Sequence, residues 1–217
     1  LDQSTGSVFD LTPTANIQVS LSNPAASGTV SSSTLLLAGG NGSSYDIANA
    51  AYATKSLSIA AQLTTSSLNP KGIAFSSDGA ELYLVGSGST NNNDAIFQYS
   101  LTTAFDVSTG SYSSKTLVIG GQETTATGIA FNSNGTKVFI VGYADDIVET
   151  WNLSTAWDIS TGGYASEQKN ISAQEGYARG LIFNNDGTKM YVTGNGSGRV
   201  HEYALSTAFN VTTASIT

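Results

Sequence analysis

One motif occurs three times in the chain and constrains its fold more than any other feature. Gly-Ile-Ala-Phe at 72–75 returns at 128–131 and, as Gly-Leu-Ile-Phe, at 180–183, so the offsets are 56 residues (72 to 128) and 52 residues (128 to 180). Each copy is followed by Asp-Gly or Asn-Gly, the pair that tolerates the positive φ angles of a tight hairpin. A repeat of this period usually determines the whole architecture.

Each motif continues into further short segments with the composition of β-strands. The second strands are predicted at 81–86, 137–142 and 189–194, and the third strands at 96–99, 148–151 and 200–203. A loop of the form Thr-Ala-aromatic follows each third strand, and fourth strands follow the first two loops at 115–119 and 168–172. Four strands per repeat is the number in a propeller blade.

The apolar pattern favours stacked sheets. Val138-Phe139-Ile140-Val141 is apolar at successive positions, so both faces of that strand must be covered, whereas a half-exposed strand alternates apolar and polar residues. Sheets that stack face to face provide this cover, and repeats of this kind become stable only by stacking. The hydrophobic fraction of 40% is sufficient for such a core.

We therefore predict an all-β chain of beta-propeller blades. Residues 45–217 are expected to hold three clear four-stranded repeats, with blades at about 56–103, 115–155 and 167–207, and residues 1–44 a short N-terminal β module or a degenerate blade. Propellers typically close with four to eight blades. The ring can be completed by a degenerate blade in 1–44, by assembly of several chains, or by further blades after Thr217, and we favour the last two.

Charge and composition exclude several classes of function. The net charge is −8 and no cluster of Lys and Arg is present, which argues against binding to nucleic acid or to anionic membranes. The absence of Cys excludes disulfides and thiolate metal sites. No apolar run approaches the roughly 20 residues of a membrane-spanning helix.

The repeated motif resembles the long-repeat, YVTN-like beta-propellers of environmental bacterial and phage proteins. The resemblance covers roughly residues 45–217 and rests on hairpin and blade-core positions, so it implies a fold and almost nothing about chemistry. The stretch from Val8 to Thr29 resembles a short β module of tailed-phage structural proteins. That second resemblance implies a virion structural protein, although the chain continues at 39–43 without the Trp- and Pro-rich segment usual in the module.

Few residues offer catalytic or metal-binding chemistry. His201 is the sole histidine, and because it aligns with Phe97 and Glu149 of the other repeats we expect a surface role for it. Asp145, Asp146 and Glu149 carry the oxygen ligands that Ca²⁺ prefers, but a solvated acidic loop is the favoured interpretation. No catalytic residue, metal site or cofactor is predicted, and the chain is expected not to be an enzyme.

Two tryptophans admit both a binding and a packing interpretation. Trp151 and Trp157 are residue types that stack on sugars, but both positions are aromatic in the other repeats, at 99 and 203 and at 105 and 209. Packing is therefore the favoured role.

Positions at which the repeats differ are the best candidates for ligand binding, because the architecture does not dictate them. They lie in the loops that enter the innermost strands, which ring one mouth of a propeller channel, with the loop 87–93 beside them. The predicted ligand-binding residues are Lys71, Gln122, Glu123, Glu175, Tyr177 and Arg179. The alternative is that they are only solvated loop residues.

The leading functional hypothesis is a virion structural protein of a tailed phage, such as a fibre or tail appendage that meets the host surface. The alternative is a secreted or surface-anchored bacterial propeller that binds glycans or peptides. A lactonase-like hydrolase with a metal in the channel is a third hypothesis. The first two imply a virion or extracellular location, other virion or surface proteins as partners, a homo-oligomer, and a host-surface glycan as ligand.

Overall fold

The computed structural model of the chain describes residues 55–62, 69–87 and 94–217. They form three antiparallel sheets of four strands, each in chain order from the innermost to the outermost strand. The strands are β1 (Asn69–Phe75), β2 (Glu81–Ser87), β3 (Ala95–Leu101) and β4 (Gly110–Val118); β5 (Ala126–Phe131), β6 (Lys137–Gly142), β7 (Ile147–Leu153) and β8 (Gly162–Asn170); and β9 (Ala178–Phe183), β10 (Lys189–Gly194), β11 (Val200–Leu205) and β12 (Ala214–Ile216). The predicted all-β, propeller-type architecture is confirmed.

The hairpins between the first and second strands of each sheet form at the predicted Asp-Gly and Asn-Gly pairs. Gly79, Gly135 and Gly187 have φ angles of 71° to 72°, which a glycine adopts without steric cost. The preceding side chain accepts a main-chain hydrogen bond within the turn, as Asp186 Oδ1 does from Thr188 N at 2.9 Å. The turn chemistry is therefore local, and the sequence alone predicts it.

The fourth strands belong to different sheets from those expected. β4 pairs with β3, so Lys115–Val118 closes the first sheet instead of opening the second. The sheets extend over 69–118, 126–170 and 178–216, in place of 56–103, 115–155 and 167–207. A short 3-10 turn before each fourth strand, capped by Asp106, Asp158 or Asn210, reverses the chain so that the strand returns along its own sheet.

The sheets stack through two apolar interfaces. Tyr83 and Val85 of the first sheet pack with Val138 and Ile140 of the second, and a second core joins the second sheet to the third. Trp151 is buried in the first of these interfaces, as the packing interpretation predicted. The inner strands β1, β5 and β9 lie side by side in the stack.

Each sheet also receives the end of the segment that precedes it. Leu57 and Ile59 pack on the first sheet as Leu117 and Ile119 pack on the second. An ion pair accompanies each of these contacts: Lys55 Nζ lies 2.5 Å from Asp106 Oδ2, and Lys115 Nζ lies 2.9 Å from Asp158 Oδ2. Residues 55–62 therefore occupy the position on the first sheet that the end of β4 occupies on the second.

The prediction made for residues 1–44 is not tested by the structure. By internal contacts the chain divides after Tyr52, and the module or degenerate blade predicted for 1–44 lies outside the described residues. No helix within 55–62, 69–87 and 94–217 combines the length and the apolar character of a membrane span.

Candidate functional site

Two of the loops predicted to carry a site, within 119–125 and 171–177, lie at one end of the second and third sheets beside the loops 143–146 and 195–199; we call these four loops the loop end. The predicted loop 87–93 lies, from residue 88 on, outside the described residues. Main-chain hydrogen bonds connect these loops in pairs. Tyr143 N donates to Thr125 O at 3.4 Å, and Asn195 N donates to Tyr177 O at 3.2 Å. Four of the six predicted residues, Gln122, Glu123, Glu175 and Tyr177, lie in these loops.

Glu123 is buried beneath its loop and not open to a ligand. Its carboxylate accepts hydrogen bonds from Thr125 N at 2.7 Å and Thr125 Oγ1 at 3.0 Å. Burial raises the pKa of Glu123, and the hydrogen bonds from Thr125 only partly oppose this. The residue stabilises the loop.

Glu175, the equivalent residue of the third sheet, is also buried. It accepts hydrogen bonds from Gly196 N at 2.6 Å and from the main-chain N and hydroxyl of Ser197. Burial acts to raise the pKa of Glu175, but these hydrogen bonds, foremost that from the Ser197 hydroxyl, outweigh it and the pKa is lowered. Glu175 is a carboxylate that shapes the loop 195–199.

Lys71 and Arg179 occupy equivalent positions but different surroundings. Each lies at a β-bulge of an innermost strand: Lys71 is exposed on the first sheet, and Arg179 is partly buried on the third. The guanidinium carbon of Arg179 lies 4.8 Å from the ring centre of Tyr143, a residue of the second sheet's loop, in a cation–π contact. The structure therefore brings Arg179, two residues after Tyr177 in the chain, to Tyr143 of the second sheet, and leaves Lys71 two sheets away.

Tyr177 has an unusual backbone conformation that the repeat does not explain. Its φ is 66° and its side chain is 59% exposed. Apart from Asp146, the other described non-glycine residues with positive φ recur from sheet to sheet, as at Phe105, Trp157 and Phe209, so the architecture requires them. A bulky residue held at positive φ is a strained feature, and such strain concentrates at functional sites.

Asp146, which also has a positive φ of 51°, supports Tyr177 from the neighbouring sheet. Its Oδ1 accepts a hydrogen bond at 2.9 Å from the main-chain N of Ala178, the residue after Tyr177. Asp94 makes the equivalent bond to Ala126 N at 2.7 Å. Asp94 and Asp146 both directly precede a third strand, and this shared position was the signal from which sequence reasoning could have assigned Asp146 a role between sheets.

His201, for which a surface role was expected, is only partly exposed. Its side chain is 13% exposed, and its Nε2 lies 2.9 Å from Ser197 Oγ and 4.0 Å from Glu175 Oε2. The Ser197 hydroxyl donates to Glu175 and accepts from Arg199 N at 3.2 Å. If His201 Nε2 donates the remaining bond, both lone pairs of Ser197 Oγ are occupied and the hydroxyl is not arranged as a nucleophile.

An open depression of about 670 Å³ lies beside this cluster at the edge of the third sheet. None of the six predicted residues lines it. The lining residues are Ala173, Gln174, Ser197, Arg199, Val200, His201, Glu202, Ile216 and Thr217.

The acidic residues considered for Ca²⁺ do not converge. Asp146 binds Ala178 N, Asp145 is exposed, and Glu149 is buried between the first and second sheets. Across the part of the chain that the structure describes, no group of three or more His, Cys, Asp or Glu side chains is placed to hold a metal ion.

Comparisons with known proteins add the fold and little more. No family model and no curated protein matches the chain. Solved structures with a similar fold include a protein from Lactobacillus plantarum (TM-score 0.48, 16% identity, covering 69% of this chain and 40% of that one) and a nidogen/laminin complex (TM-score 0.46, 14% identity, 69% and 48%). A third is a candidate 6-phosphogluconolactonase from Bacteroides uniformis (TM-score 0.49, 18% identity, 68% and 42%). The chain spans less than half the length of each.

These comparisons correct one prediction from the sequence. The chain was expected not to be an enzyme, but two of the similar structures, from Bacteroides uniformis and Bacteroides fragilis, are named as candidate 6-phosphogluconolactonases, which are enzymes. The absence of a catalytic motif in the sequence therefore does not exclude catalysis. At 13% to 18% identity and TM-scores below 0.5 the similarity assigns no activity to this chain.

Proposed function

We propose that this chain is a propeller recognition domain that binds a hydroxyl-rich ligand, such as a surface glycan, at the loop end of its second and third sheets. Tyr177, Arg179 and Tyr143 are the residues that contact the ligand. The observation that carries the proposal is Tyr177: an exposed aromatic ring in a strained conformation that the other repeats do not share.

The chemistry of the three residues suits a sugar. The exposed face of an aromatic ring packs on the apolar face of a pyranose, and a guanidinium offers several donors in a fixed geometry for hydroxyl or carboxylate oxygens. Arg179 is already held over Tyr143. Arg179 and Tyr143 therefore have little side-chain entropy left to lose when a ligand binds, and this favours affinity.

Asp146 fixes the backbone on which these side chains stand. Its hydrogen bond to Ala178 N lies between Tyr177 and Arg179 and comes from the adjacent sheet. A site supported in this way by a rigid scaffold keeps its geometry when the ligand is absent. Glu123 and Glu175 belong to the same support, because their carboxylates bind main-chain groups of the loops.

The biological setting that we favour is a virion structural protein of a tailed phage, in a fibre or tail appendage that recognises the host surface. Its support is the resemblance of residues 8–29 to a phage structural module. A secreted or surface-anchored bacterial propeller that binds glycans or peptides is the alternative, and it would use the same site. Immunogold labelling of particle tails would support the phage setting, and finding the native protein only free in the medium would contradict it.

A glycan array with the purified chain tests the binding itself. The variants Tyr177→Ala and Arg179→Ala should each weaken binding at least tenfold, which corresponds to about 1.4 kcal/mol. Arg199→Ala is the matched control, since it removes the same charge from an exposed residue of the loop end that lines the depression and is not one of the three proposed ligand contacts. Failure of the chain to bind any glycan, or loss of binding in Arg199→Ala but not in Arg179→Ala, would contradict the proposal.

A further inference from the structure

The first two sheets bind the next sheet through the same positions of one face. We call this the trailing face and the opposite one the leading face. In each sheet the trailing face carries a glycine and a second residue on the inner strand, two residues on the next strand, and one on the third. They are Gly72, Ala74, Tyr83, Val85 and Ile96 in the first sheet and Gly128, Ala130, Phe139, Val141 and Val148 in the second.

The glycines record how closely the next sheet approaches. A Cβ at Gly72 would lie 2.9 Å from Thr127 O of the second sheet, and one at Gly128 would lie 3.0 Å from Arg179 O of the third. A Cβ at the equivalent Gly180 would lie close only to Thr193 Cγ2, an atom of the same sheet. The third sheet therefore retains the residue that permits close stacking.

The aromatic residue on the second strand of each trailing face also contacts the next sheet where one follows among the described sheets. The Tyr83 hydroxyl donates to Trp157 O of the second sheet at 2.7 Å, and the ring of Phe139 lies 4.5 Å from that of Phe183 in the third. Tyr191 is the equivalent residue of the third sheet. It interacts with Glu202 of its own sheet.

Two apolar residues of the third trailing face are exposed where their equivalents pack against the next sheet. Ile182 pairs with Tyr191 on this face and is 62% exposed, while Val200, the equivalent of the buried Ile96 and Val148, is 71% exposed. Exposed apolar surface of this kind marks an interaction site. The two internal interfaces show what fits it: the leading face of another blade.

This chain itself offers such a leading face. Ile73 pairs with Leu84 on the leading face of the first sheet and is 64% exposed. Its equivalents Ile129 and Leu181 are buried in the two interfaces between sheets. Both halves of an interface of the same type are therefore present on one polypeptide.

We propose that the trailing face of the third sheet binds the leading face of the first sheet in a second copy of this chain, head to tail. Two copies related by a twofold axis then close a ring, because each supplies both faces. The three described sheets of each copy would give six, within the four to eight of closed propellers. The proposal is independent of the glycan site.

Light scattering on the purified 217-residue chain tests this. We expect a mass of twice 22.3 kDa at micromolar concentration, and the monomer mass for both Ile182→Asp and Ile73→Asp. Since both side chains are exposed, each variant should keep the circular dichroism of the parent chain. Val118→Asp is the matched control, because Val118 is exposed on the outer strand of the first sheet and should leave the dimer intact.

Mixing the two variants tests the orientation. Ile182→Asp retains a native leading face and Ile73→Asp a native trailing face, so an equimolar mixture should form a heterodimer through one native interface. A parent chain that stays monomeric would overturn the proposal. A dimer that persists in Ile73→Asp would also overturn it, since that result places the contact elsewhere.

Discussion

Trp157 covers Gly135 so closely that the indole ring occupies the space a Cβ at residue 135 would need. The Trp157 main-chain N donates to Gly135 O at 2.8 Å, so ring and backbone both hold the hairpin. Phe105 covers Gly79 and Phe209 covers Gly187 in the same way. The repeated turn and the repeated Thr-Ala-aromatic loop are therefore two halves of one contact.

Gly135→Ala should destabilise the chain severely. The substitution puts a Cβ into the Trp157 ring and forces a non-glycine residue into φ 71°, which alone costs about 1–2 kcal/mol. We expect a loss of at least about 2 kcal/mol in the free energy of unfolding, measured by chemical denaturation. Gly163→Ala is the control, because nothing lies within 4 Å of a Cβ there; an equal loss in both variants would contradict the contact.

Glu149 should make the chain less stable as the pH rises. Burial, with a smaller contribution from the charge of Glu123, raises the pKa of Glu149 from 4.5 to about 7. The folded state therefore holds this proton more tightly than the unfolded state, so the stability it contributes is present below pH 4.5 and is lost as the pH rises through about 7. The loss amounts to about 3 kcal/mol.

The variant Glu149→Gln isolates this effect from the other carboxylates. It should match the parent chain at pH 4 and be more stable by about 1–3 kcal/mol at pH 8, because the amide never becomes charged. The measurement is the denaturation midpoint of both proteins across that pH range. Parallel curves at all pH values would refute the assignment.

Thr150→Val should stabilise the chain. Thr150 Oγ1 is buried and has no hydrogen-bond partner among the residues that the structure describes, and an unsatisfied buried hydroxyl costs about 1–3 kcal/mol. Thr127→Val is the matched control: its buried hydroxyl bonds Val141 O at 3.1 Å and Ala178 O at 2.9 Å, so the same change should destabilise. Thermal unfolding of both variants reveals the opposite signs, and equal signs would count against this assignment.

Asp146→Ala should loosen the loop end. The variant removes the acceptor of Ala178 N and leaves alanine at φ 51°, which we expect to cost about 2 kcal/mol. Asp146→Asn keeps the acceptor and is a residue that tolerates this φ, so it should resemble the parent chain. If the proposed function is correct, Asp146→Ala also weakens glycan binding while Asp146→Asn does not; equal effects of the two would show that the hydrogen bond is unimportant.

Local features of the repeat could be predicted well. The hairpins at Gly79, Gly135 and Gly187 depend on neighbouring residues, and the packing role of Trp151 followed from its aromatic equivalents. The sheet predicted for Lys115–Val118 was wrong. The sheet to which a strand belongs is decided by its pairing with a distant strand and by the capped turn before it.

For the candidate site, too, the sequence predicted the local features and not the contacts between distant residues. The loops that bear Glu175 and Tyr177 were identified from differences between repeats. The contact between Arg179 and Tyr143 and the hydrogen bonds of Glu175 to Gly196 and Ser197 join residues from separate segments, which no local pattern predicts.

The amino-acid sequence by itself determined an all-β chain of repeated hairpins with apolar residues on both faces, because strand periodicity and turn geometry are properties of short segments. Only the tertiary structure decided which strands share a sheet, which acidic side chains are buried, and which apolar face is left exposed. Those properties arise where sheets meet, and contacts between residues far apart in the chain leave no short-range pattern.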